Sequence, residues 1–163
     1  MYILGKLKKF GLKIEELLLV WKTILRPLTE YTTPLWHPGL TEMDTQKLES
    51  LQKKALGIIL GVTYIDNRRL YKIENTALNY EETLEKLNLV PVKIRRENLT
   101  HKFTLQAVKN PRHNKMFQPK ICNIGTRCKS RYQENIYRTK RSYMSTIPYM
   151  TRILNRLPCL NKK

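Results

Sequence analysis

The segment TEMDTQKLESLQKKALGIILGV, residues 41–62, carries the marks of a complete helix. Thr41 stands at an N-cap, with Asp44 three residues on, close to a capping box that satisfies otherwise orphaned backbone amides. Leu48, Leu51, Ala55, Ile58, Ile59 and Val62 recur at helical spacing and form one apolar stripe. Glu49 and Lys53 lie on the opposite face in the favourable i, i+4 order, worth a few tenths of a kcal/mol. Gly61 supplies a C-terminal stop, and Pro38-Gly39 upstream supplies a turn.

Upstream, Ile14, Leu17, Leu18, Trp21, Leu25 and Leu28 repeat at intervals of three and four, so a helix is expected from Leu12 into the region of Pro27. Pro27, Pro34 and Pro38 imply a kink or break before Trp36. Trp36 and Tyr31 read as core anchors where the bent helix turns back, with a binding patch as the alternative. His37, between Trp36 and Pro38, reads as a loop residue.

Downstream, residues 62–79 show no clear period. Tyr80 to Leu89 reads as a short helix with Leu84 and Leu87 inward and Glu81 and Glu82 near its positive end. Pro91 fits the first turn of a further helix whose inward residues would be Val92, Leu99, Phe103 and Ala107. Lys109-Asn110-Pro111 ends it, and beyond this point basic residues alternate with Tyr, Asn, Ser and Pro without a helical period. The expected fold is therefore all-α: a small bundle of four or five helices followed by a basic, largely irregular C-terminal arm. The divisions expected are 1–61, a helical region; 62–110, a linker with further helices packing on it; and 111–163, the arm.

The charge supports that division. Residues 1–97 carry 16 basic and 12 acidic side chains, whereas residues 98–163 carry 15 basic ones and a single acid, Glu134. The net charges are +4 and +14, so the second part is a polycation that should attract polyanions. With 163 residues, one domain or one domain plus a tail is expected. No apolar run approaches the roughly 20 residues of a membrane span, and no signal-peptide pattern follows Lys6, Lys8 and Lys9. An intracellular location, nuclear or cytoplasmic, is expected, with no membrane partner. Cys122, Cys128 and Cys159 do not form a disulfide framework, and the five residues between the first two exceed the two to four of structural zinc sites. No cofactor or metal is expected.

Basic side chains neutralise phosphates and aromatic rings stack bases, so the candidate nucleic-acid contacts are Arg26, Lys53, Lys54, Arg95, Arg96, Arg131, Tyr132, Arg138, Lys140 and Arg141. For the cations of the helical part, an ordinary solvated face is the alternative. Arg26 either contacts nucleic acid or caps a bent helix. In the arm, Tyr132, Tyr137, Tyr143 and Tyr149 alternate with Arg131, Arg138, Lys140, Arg141 and Arg152.

Residues 25–61, LRPLTEYTTPLWHPGLTEMDTQKLESLQKKALGIILG, resemble the segment after the palm in reverse transcriptases of animal non-LTR (LINE-type) retrotransposons. The residues that carry the likeness are Arg26-Pro27, Glu30-Tyr31, Pro34 with Trp36, Gly39-Leu40-Thr41, and Leu48-Glu49 with Gln52-Lys53-Lys54-Ala55-Leu56. It continues through Tyr80-Glu81-Glu82, Arg95-Arg96-Glu97, Lys109-Asn110-Pro111, Arg141-Ser142-Tyr143 and Ile147-Pro148-Tyr149, covering about residues 12–155. Where Gly57 stands, that family often has a basic residue, so one phosphate contact would be missing here. The resemblance implies a thumb-like domain plus connector that grips an RNA template and an RNA–DNA or DNA duplex. It also implies the palm and fingers of a polymerase as a protein partner.

Polymerase chemistry needs two or three carboxylates gathered on metal ions. Asp44 and Asp66 are the only aspartates, and Glu15-Glu16 and Glu81-Glu82 on helices point about 100° apart. No catalysis is expected of this chain alone. Two other readings stand beside nucleic-acid binding: a protein-interaction module, and the relic of a decayed element.

Overall fold

The computed structural model describes residues 1–62, 80–120 and 131–157. The fold is all-α; among the described residues the β pairing is limited to one isolated antiparallel bridge, Pro119 with Tyr132. The described residues fall into two compact units, one drawn from 1–31 and 41–95, the other from 32–40 and 96–163. These limits cut across the expected boundaries at 61 and 110.

The first unit begins with α1, Tyr2–Lys9, which the sequence pattern did not announce. Leu4 is its buried residue, and a turn through Gly11, held in a left-handed conformation at φ 86°, leads into α2, Ile14–Val20. Leu17, Trp21, Ala55, Ile59 and Leu4 form one apolar core. A five-residue π turn follows α2 at Trp21–Leu25, in which the Arg26 amide donates to the Trp21 carbonyl. Pro27 explains it: proline has no N–H for the next α-type bond, and its ring would collide with the carbonyl four residues back. The expected kink is thus a widened turn. Helix α3, Arg26–Glu30, comes after it.

That extra residue rotates everything downstream by about 100° relative to a regular helix. Leu28, placed on the inward stripe by uniform spacing, is consequently exposed, and Arg26 is buried instead. Ile14, at the start of the same stripe, is exposed too.

Helix α5 spans Glu42–Leu60, in agreement with its sequence signals. The Asp44 amide donates to Thr41 Oγ1 at 3.2 Å and the Thr41 hydroxyl donates to Asp44 Oδ2 at 2.7 Å. These bonds, with Lys47 beside it, hold the Asp44 carboxyl below its usual pKa. At the other end Gly61 takes φ 74°, which a side chain would strain, and the Lys8 ammonium donates to the Ile58 carbonyl at 2.6 Å. Two faces of α5 are used. Ala55 and Ile59 join the core with α2, and Leu56 packs with Leu84 and Leu89. Leu84 belongs to α6, Tyr80–Lys86, as expected. Glu49 is not simply solvated: its carboxylate accepts from the Tyr80 hydroxyl at 2.5 Å and from the Val92 amide at 3.0 Å.

The second unit contains α4, Thr33–Trp36, entered through Thr32 in a left-handed conformation, and a 3₁₀ turn at His37–Gly39. Helix α7, Val92–Lys109, supplies residues from Arg96 onward. Its buried positions are Val92, Arg96, Thr100, Thr104 and Ala107. Of the expected inward set, Val92 and Ala107 are buried, Leu99 is half-buried and Phe103 is 39% exposed. The buried stripe is polar because each threonine hydroxyl donates to the carbonyl four residues back: Thr100 to Arg96 at 2.9 Å and Thr104 to Thr100 at 2.7 Å. Satisfied in this way, the hydroxyls can sit inside and present methyl groups outward.

Where a largely irregular arm was expected, the described residues 111–120 and 131–157 contain three helices. Asn110 caps α8, Pro111–Asn114, and Thr139 caps α9, Lys140–Tyr143. Helix α10, Thr146–Arg156, buries Met150, Ile153 and Leu154 at helical spacing. Met150 and Leu154 form a core with Ala107 and Phe117. Residues 63–79, 121–130 and 158–163 lie outside the described residues, and with them Asp66, Cys122, Cys128 and Cys159.

Candidate nucleic-acid interface

The ten positions expected to contact nucleic acid divide between the units. Arg26, Lys53, Lys54 and Arg95 belong to the first, and Arg96, Arg131, Tyr132, Arg138, Lys140 and Arg141 to the second. Three of them are structural. Arg96 is 1% exposed, with its guanidinium carbon 5.7 Å from the centroid of the Trp36 ring. Buried on an aromatic face, it cannot meet a phosphate. Tyr132 packs edge-on against Phe117 at 6.1 Å between ring centroids, as a flank of the second core rather than a stacking platform. Arg26 is 9% exposed and donates from Nε to Glu30 Oε1 at 3.0 Å, one turn later in α3. It spans that helix with a side-chain ion pair and caps no backbone group there.

Tyr31, expected in the core, is exposed; Trp36 is half-buried against Arg96.

Five of the candidates reach solvent in helices or loops that hold them in place. Lys54 is exposed on α5, and Lys53 next to it lies over the Tyr80 ring at 5.1 Å. Arg138, Lys140 and Arg141 are exposed around the start of α9, and none has a carboxylate partner among the described residues. Arg131 is exposed on a segment tied down through its backbone. The Arg131 and Tyr132 amides both donate to Asn155 Oδ1 at 3.0 Å, and Asn155 Nδ2 donates to the Tyr132 carbonyl at 3.1 Å. The same Asn155 amide donates to Glu134 at 2.7 Å, engaging the single acid of this region.

Beside these cations runs a row of rings. Arg152 lies over Tyr143, 3.7 Å from the ring centroid, and its Nη1 donates to the Tyr143 carbonyl at 2.9 Å. Tyr137 meets Tyr143 edge-on at 6.3 Å, and Tyr149 lies 5.8 Å from Arg152 and 5.7 Å from the His37 ring. Partial burial, with Glu97 nearby, raises the Tyr149 hydroxyl above its usual pKa, so it stays a neutral donor. Composition alone does not single out Arg152 or His37; the i, i+3 spacing of Tyr149 and Arg152 on one helix was the available signal.

The arrangement offers point charges for backbone phosphates and one 45%-exposed ring, Tyr143, already backed by a guanidinium. Among the described residues no helix is long and apolar enough to cross a membrane. No protein-family model, curated protein or solved structure matches this chain.

Proposed function

We propose that this chain binds polynucleotides through their phosphate backbone, as the thumb and connector portion of a non-LTR reverse transcriptase whose catalytic carboxylates lie elsewhere. The observation that carries the reading is the exposed cationic set Arg138, Lys140 and Arg141 beside Tyr143, within a region of net charge +14. Such a surface holds RNA, an RNA–DNA hybrid or DNA mainly by releasing counterions, with little discrimination among bases. Engagement of six to ten phosphates would lower affinity about 10³–10⁵-fold between 50 and 200 mM salt. Fluorescence anisotropy with a labelled RNA–DNA hybrid tests it: no binding at low salt, or binding indifferent to salt, rejects the proposal. Magnesium-dependent nucleotide incorporation by the purified chain would reject the separation of grip from chemistry.

A second reading, docking on a protein partner, is favoured by Leu19, Ile24, Leu28 and Tyr31, large apolar side chains exposed along α2, the π turn and the end of α3. Sedimentation of the purified chain as a monomer, with no binding of an apolar dye, would count against it.

A further inference from the structure

Glu30 is the meeting point of two arginines from distant parts of the first unit. Arg26 Nε donates to Glu30 Oε1 at 3.0 Å, and Arg95 Nε donates to the same oxygen. Arg26 and Glu30 are the first and last residues of α3, four apart, so one helical turn fixes that pair. Arg95 comes from the first turn of α7. The side chains of Arg26 and Glu30 are each 10% exposed, whereas that of Arg95 is 38% exposed.

Among the described residues the cluster is one anion short. Two guanidinium groups share a single carboxylate, leaving one positive charge in a partly desolvated site where charge is costly unless matched. Arg26 lies at the closed side. Arg95 spends only Nε on Glu30, and its Nη1 and Nη2 carry four further N–H donors in a planar fork. A fork of that shape matches two oxygens of a phosphate. A free arginine must be ordered when it binds; this one is ordered beforehand by Glu30.

We propose that Arg95 is a preset phosphate-binding residue with Glu30 as its positioning residue, and that the seat takes one phosphodiester of a bound polynucleotide. The inference rests on the polynucleotide-binding reading and deepens it: Glu30, an acid, favours the binding of a polyanion.

That sign is the test. Glu30→Gln removes a negative charge, and by overall field alone it should tighten polyanion binding. If Glu30 positions Arg95, the same change weakens it. Anisotropy titrations of the full chain against an RNA–DNA hybrid, run from 50 to 200 mM salt, compare wild type with Arg95→Gln, Arg95→Lys and Glu30→Gln. Arg95→Gln should lose roughly tenfold at the lower salt and reduce the log–log salt slope by about one. Arg95→Lys keeps the charge but not the fork, and should bind several-fold less tightly than wild type. Glu30→Gln should weaken binding in the wild-type background and not in the Arg95→Gln background, a non-additivity that a purely structural role would not give. Should Glu30→Gln lose its helical circular dichroism, the Arg95→Lys and Arg95→Gln pair decides alone. Arg95→Lys equal to wild type, or Glu30→Gln binding tighter than wild type, overturns the seat while salt-dependent binding stands. Absence of any binding by wild type at 50 mM salt overturns both.

Discussion

Arg96 covers the Trp36 ring at 5.7 Å while its sequence neighbour Arg95 turns to Glu30 and solvent. One residue along a helix changes direction by about 100°, which suffices to send two adjacent arginines into opposite roles. Arg96→Ala should therefore destabilise the fold by about 2–4 kcal/mol, from lost packing and a lost cation–π contact. Urea unfolding measures this, and the salt slope of polynucleotide binding by the folded variant should be unchanged.

Arg138, Lys140 and Arg141 should behave in the reverse manner. Each is exposed, so neutralising any one to Gln should leave stability within about 0.5 kcal/mol of wild type. Each should also lower the salt slope of binding by about one, and the triple variant should approach a loss of three. Thermal unfolding and anisotropy on the same samples separate the two effects.

Asn155 holds the strand-like segment at Arg131 and Tyr132 through both side-chain groups. Asn155→Ala strips those amides of their acceptor and should cost about 1–3 kcal/mol. Hydrogen exchange should accelerate first at the Arg131 and Tyr132 amides, and Arg131 would then lose its fixed position.

Thr41→Ala removes the N-cap of α5 and should cost about 1 kcal/mol. Asp44 adds a pH dependence. Its folded-state pKa is depressed, chiefly by the Thr41 hydroxyl, so its contribution is present above the ordinary value of 3.8 and fades as pH falls through the lowered one. In Thr41→Ala most of that acid-side slope should vanish, which urea midpoints taken between pH 5 and 2 would record.

The helices with marked ends were legible in the sequence: α5 between Thr41 and Gly61, α6 behind Tyr80, and α7 from Pro91 to Lys109. Caps and stops act locally, so their residues speak for themselves. Which face turned inward was less legible. The π turn moved Leu28 outward by adding a residue to the count, and α7 buried Thr100 and Thr104 because their hydroxyls bond along their own helix. Helix α10 escaped notice because the charge of residues 98–163 masked the Met150, Ile153 and Leu154 spacing. Among the contact candidates, exposed and buried cations have the same letters. Only the partner decides: Trp36 for Arg96, Glu30 for Arg26.

The widened turn at Trp21–Leu25 also sets a phase between two halves of one helical rod. Regular α pitch with every residue retained would swing Glu30 about 100° around the axis, away from Arg95, whereas deleting one residue there, such as solvent-facing Thr23, would restore that pitch and leave Glu30 where it is. Loss of one codon would thus regularise the backbone while keeping the ion cluster. Between Trp21 and Glu30 the constraint is on phase rather than on length.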